Sequence, residues 1–205
     1  MNNITSRTLE RRVFTSFLRD GSIEAFTGIF LLQLGLPILF SRSGHGDLQS
    51  ALLAMVVALL LLTAVFVFRR FVVVPRLGDV KFLPERRRRL SRLIFVPTIT
   101  LIASAVVGFA LSRSPTTGSA FIGLVPYVLT TVIVFSAAAY FLDMGRLYLY
   151  AAIVGLTMPV GKYLETVIVS RDTLPATVLF VAFVFFGIAT VFAIAFLRKY
   201  RTQGE

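Results

Sequence analysis

The chain contains no cysteine, no tryptophan and one histidine in 205 residues. These absences exclude disulfide scaffolds, thiolate metal sites, cysteine nucleophiles and haem attached through cysteine. The lone His45, flanked by Gly44 and Gly46 with Asp47 nearby, is too small a set to hold a metal, so no metal site is expected. Charge is also scarce: 15% of residues are Asp, Glu, Lys or Arg, against 57% hydrophobic. Soluble domains carry about 25% charged and roughly 45–50% apolar residues, which rules out a soluble monomer. The signatures of familiar enzymes are missing too: there is no His-Glu-x-x-His, Gly-x-Ser-x-Gly, Walker phosphate loop or pair of intramembrane aspartates. No catalytic residue and no cofactor are assigned, and the expected class is non-enzymatic.

What the chain does have is apolar runs of the length needed to cross a hydrocarbon core about 30 Å thick. Six of them cover residues 22–40, 50–68, 93–111, 119–142, 147–169 and 174–197. None alternates with a period of two, and backbone in lipid must satisfy its own hydrogen bonds, so each reads as a helix. The predicted fold is all-α: a polytopic six-transmembrane-helix bundle over residues 22–197. Pro37, Pro97, Pro126 and Pro159 fall within spans and predict bends where neighbours can re-satisfy the freed backbone.

The charges orient this bundle. With the N-terminus inside, seventeen bases lie in inner segments against three outside, Arg42, Arg113 and Arg171, while Lys162 lies within a span. That asymmetry is the positive-inside pattern, and it predicts a cell (inner) membrane protein with both termini cytoplasmic. The first span is expected to be retained, because no small-x-small cleavage site follows it and its run exceeds a signal-peptide core. Ahead of it, residues 1–21 form an N-terminal cytoplasmic segment. Leu9, Val13, Phe14, Phe17 and Leu18 share a helical face there, which predicts a short amphipathic helix on the inner surface, ended by Asp20-Gly21, with Ser22 capping the next helix. Residues 198–205 form a cytoplasmic tail.

The cytoplasmic loop 69–92 holds nine bases. β-branched residues flank Pro75 to Asp79, which suggests a strand, a tight turn at Gly78 and a second strand, with Pro84 opening a helix that runs on into the third span. Arg76, Gly78 and Lys81, followed by Arg86, Arg87, Arg88 and Arg89, are candidate residues for binding membrane lipids through anionic head groups, or a phosphorylated ligand. The alternative is that the loop is basic only because it is cytoplasmic; four consecutive arginines on a helix point around its whole circumference and form no single pocket. The run Pro75-Arg76-Leu77-Gly78-Asp79-Val80-Lys81 resembles a Pro-Arg-x-Gly-x-Val-Lys loop of uncharacterised prokaryotic multi-span membrane proteins, with Asp79 in place of an aromatic. That resemblance covers under a tenth of the chain and implies no activity. The basic excess follows topology and no recognition motif accompanies it, so no nucleic acid partner is expected.

Few ionisable residues fall within spans, where burial is costly. Glu24 sits in the first turn of the first span, where a helix N-terminus favours an acid. Asp143 and Arg146 border the turn between the fourth and fifth spans. Lys162 and Glu165 lie three apart in the fifth span, after the Met158-Pro159-Val160-Gly161 break, and are the intramembrane polar candidates. They form either a self-neutralised pair reaching outward or one wall of a polar cavity with Thr157, Tyr163, Gln33 or Tyr127. Small residues four apart at Ser104/Gly108, Ala151/Gly155 and Ala189/Ala193 allow close helix packing, within the bundle or in a homo-oligomer. The leading expectation is a membrane-embedded binding or accessory protein with a basic inner face for anionic lipid or a protein partner. The rival is a small transporter or channel with its polar site at Lys162 and Glu165.

Overall fold

The computed structural model describes residues 20–77, 124–168, 170 and 172–200. The segments 1–19, 78–123 and 201–205 lie outside it. The expected amphipathic N-terminal helix and third span, residues 93–111, therefore fall outside the described residues, as do Gly78, Lys81 and Arg86 to Arg89.

Every regular element among the described residues is helical: α1 (Ser22–Arg42), α2 (Asp47–Phe68), a π-helical turn (Arg69–Val73), α3 (Val74–Leu77), α4 (Val125–Leu142), α5 (Arg146–Ile168) and α6 (Thr173–Lys199). Among the described residues, five helices are long and apolar enough to cross a membrane: α1, the continuous rod Asp47–Arg76, α4, α5 and α6. The chain divides into two compact units, residues 1–81 with 175–205, and residues 82–174.

The first strand expected from Phe71 is not formed, while the turn at Gly78 and the second strand lie outside the described residues. The helix of the second span runs on through the valines as a π turn, in which Val74 N–H reaches the Arg69 carbonyl, and then as α3 through Arg76. No glycine or polar cap interrupts the chain between Ala51 and Val74. Strand preference reflects how side chains pack on a sheet, so a valine run continuous with an apolar helix follows the helix. Pro75 lacks an N–H to give to the ladder, and the wider π turn just before it is a usual place for such a break.

In the first unit, α1 starts differently from the expected Ser22 cap. Gly21, at φ 86°, is the N-cap residue and Ser22 is already helical. The capping acceptor is Asp20: its Oδ1 takes the Ser22 N–H at 2.9 Å and its Oδ2 takes the Ser22 hydroxyl at 2.7 Å. From there α1 packs antiparallel to α6 through glycines seven residues apart. A Cβ on Gly21 would overlap the Ala189 carbonyl oxygen, one on Gly28 would lie 3.1 Å from the Phe186 ring and 3.2 Å from the Ala182 oxygen, and one on Gly35 would lie 3.0 Å from Leu179. The facing stripe of α6, Val178, Ala182, Phe185 and Ala189, is buried. Small residues let helix backbones approach closely, which is how helices gain packing energy where lipid removes the hydrophobic drive. Ser41 Oγ donates to Asp47 Oδ1 at 2.6 Å across the short α1–α2 connection.

In the second unit α4 and α5 form a helical hairpin. Asp143, at φ 60°, turns the chain, and Met144 N–H donates to the Ala139 carbonyl at 3.0 Å. A Cβ on Gly155 of α5 would lie 3.3 Å from Val132 of α4, so the two helices touch closely there.

Candidate functional site

Among the described residues, charged side chains pair at two places inside apolar helices. In the first unit the place is the end where α1 begins and where α2 and α6 finish. Asp20 is 1% exposed, and a carboxylate that deeply buried is tolerable only when hydrogen-bonded and paired. Besides the two bonds from Ser22, Arg69 Nε lies 4.0 Å from Oδ2. Asp20 and Arg69 thus clasp the start of α1 to the end of α2. Sequence reasoning treated Asp20 only as a helix stop. The available signal was its place: an acid at the foot of one apolar run, level with a base at the foot of the next. Glu24, one turn on, is fully buried.

Beside this clasp α1, α2 and α6 leave a groove of about 330 Å³, open on one side. Of its thirteen lining residues only Asp20, Ser22 and Thr190 are polar, while Ala25, Leu61, Val65, Phe68, Ala193 and Ile194 are among the apolar ones. A second hollow, about 520 Å³, continues along α6 past Val191 and Ala195 to Arg198 and Lys199, and Ile194 belongs to both. An apolar trough therefore leads to a basic end. Arg69 and Arg70 leave α2 directly after Phe68, and Arg76 follows, partly exposed, on α3. Of the seven loop residues singled out in the sequence, Arg76 alone is described, and it sits on a helix.

In the second unit Lys162 Nζ lies 2.9 Å from Glu165 Oε2, with side chains 30% and 13% exposed. The residues of this unit weighed as partners in a polar cavity are engaged elsewhere or exposed. Thr157 Oγ1 donates to the Ile153 carbonyl at 2.8 Å, within its own helix. Tyr127 donates its hydroxyl to the Val154 carbonyl at 2.6 Å. Tyr163 is exposed. The Tyr127 bond lies next to the Gly155 carbonyl, which loses its helical donor to Pro159, so α4 props α5 at its break. Tyr127→Phe is expected to lower stability by about 0.6 kcal/mol, the usual size of such a bond between membrane helices, read as a small fall in the thermal midpoint in detergent. Among the described residues no group of three or more His, Asp or Glu is placed to hold a metal ion. No family model, no curated protein and no solved structure matches this chain.

Proposed function

We propose that this chain is a multi-pass membrane binding or accessory protein without enzymatic activity, with six spans and both termini in the cytoplasm, whose inner face engages anionic lipid head groups. The observation that carries this reading is the apolar trough between α1, α2 and α6 ending at Arg198 and Lys199, beside the Arg69–Arg70 end of α2. A base near an anionic membrane surface contributes about 1 kcal/mol. The bases of residues 69–92 and of the C-terminal tail fall on one side under this topology, so their contributions add.

The transporter reading has weaker support. Lys162 and Glu165 neutralise each other, and the hydroxyls of Thr157 and Tyr127 are spent on backbone carbonyls of α5.

The test is lipid retention. Arg76→Gln together with Lys81→Gln is expected to reduce, several-fold, the anionic lipid that co-purifies with the protein, and to flatten the salt dependence of that retention. Retention unchanged in the double variant would leave the basic loop as a determinant of topology alone.

A further inference from the structure

Building on that reading, we propose that the groove between α1, α2 and α6 is a site for one acyl chain of an anionic phospholipid, with its phosphate held by Arg198 and Lys199. The groove has about 330 Å³ to fill, the share of liquid occupied by about ten waters. Its walls offer almost nothing to hydrate. A buried water needs two to four polar partners, and the polar groups here stand at the Asp20 end and at Thr190, where Ser22 and Arg69 already engage the carboxylate. The space exists because the helices meet over short side chains. Ala25, Ala64, Ala189 and Ala193 line it, too small to close it and shaped to accept a slender apolar chain.

Next to the lining residues, Phe66 on α2 is 68% exposed and Val191 on α6 65%, so the surface beside the groove is apolar and, in the proposed six-span topology, meets hydrocarbon. Charge selects the head group. The whole of α6 carries no acid, and its two bases occupy the last turn, where they line the hollow that shares Ile194 with the groove. The acids at this end, Asp20 and Glu24, are both buried, and Ser22 and Arg69 engage Asp20, so a phosphate is free to approach those bases. A chain at Ile194 with its phosphate one turn on, at Arg198, has the order of parts of a phospholipid.

The absence of native tryptophan makes the site directly readable. Phe68→Trp places a fluorescent reporter on the groove, and Leu60→Trp, 65% exposed in the native chain, places one on the general lipid surface. The full chain is reconstituted in phosphatidylcholine bilayers containing phosphatidylglycerol, with bromine on the acyl chains of one lipid or the other. The groove reporter is expected to be quenched several-fold more effectively by brominated phosphatidylglycerol than by brominated phosphatidylcholine. The surface reporter is expected to show no preference. Adding Arg198→Gln and Lys199→Gln should return the groove reporter to equal quenching, and Ala193→Phe should reduce its quenching by both lipids.

Equal quenching at the groove in the otherwise native chain, or a preference that survives loss of both bases, would overturn the proposal. The surface reporter in each variant shows that the protein is folded in the bilayer. If the groove shows no preference while Arg76→Gln with Lys81→Gln still strips anionic lipid, the groove proposal fails and the broader function stands. If both effects are missing, both fail.

Discussion

Replacing Gly21 with alanine is expected to be among the most damaging single changes in the described part of this protein, at about 2–4 kcal/mol. Two independent causes act at this position. The backbone sits at φ 86°, where an L side chain costs roughly 1–2 kcal/mol. In addition, the new Cβ would overlap the Ala189 carbonyl oxygen, a backbone atom of α6 that cannot rotate away. Relief requires α1 and α6 to separate, which would also disturb Asp20, held in place through Ser22 and Arg69. Gly44 supplies the control: it has φ 91° and nothing within 4 Å of its would-be Cβ. Gly44→Ala is therefore expected to incur only the conformational cost, about 1 kcal/mol. Unfolding in mixed detergent micelles measures both. Equal losses at the two positions would mean that the α1–α6 contact is looser than its geometry indicates.

The contrast between these glycines shows what was legible in the sequence. Helix positions were, because leaving a backbone unbonded in lipid outweighs local preference: the runs 22–40, 147–169 and 174–197 correspond to helices Ser22–Arg42, Arg146–Ile168 and Thr173–Lys199. Where two local preferences competed, the reading failed. Val72-Val73-Val74 looks like a strand by composition, yet it follows an uninterrupted helix and continues it. Pairings between helices were least legible. The spacing of Gly21, Gly28 and Gly35 is visible in the chain, but a search for small residues four apart passes over a seven-residue period. Its meaning also depends on the Val178–Ala182–Phe185–Ala189 stripe, more than a hundred residues away. Asp20 shows the same limit: its burial is tolerable because Arg69 arrives from the far end of another helix.

Removing Lys162 alone is expected to cost more than removing Glu165 alone, and removing both less than the sum. Glu165 is the more deeply covered member, 13% exposed against 30% for Lys162, and its stem is short. With Lys162→Leu the carboxylate loses the ammonium 2.9 Å away in a poorly solvated place, at about 2–3 kcal/mol. With Glu165→Leu the remaining ammonium has a four-carbon stem. Six residues separate Lys162 from the end of α5 at Ile168, about 9 Å of helix, most of which a lysine spans by snorkelling. The expected cost is under about 1 kcal/mol. The double leucine variant removes both members of the pair at once and is expected to cost less than the two single changes together.

The same residues decide between the accessory and transport readings when each is replaced by cysteine in this naturally cysteine-free chain. A self-neutralised pair predicts that a membrane-impermeant thiol reagent labels position 165 and fades by position 162. Labelling that continues to position 157, together with a double leucine variant that unfolds, would require water to follow α5 past the Pro159 break. The transport reading would then replace the accessory one, because a Thr157 hydroxyl already bonded to Ile153 offers no reason for water to enter unless a path carries it there.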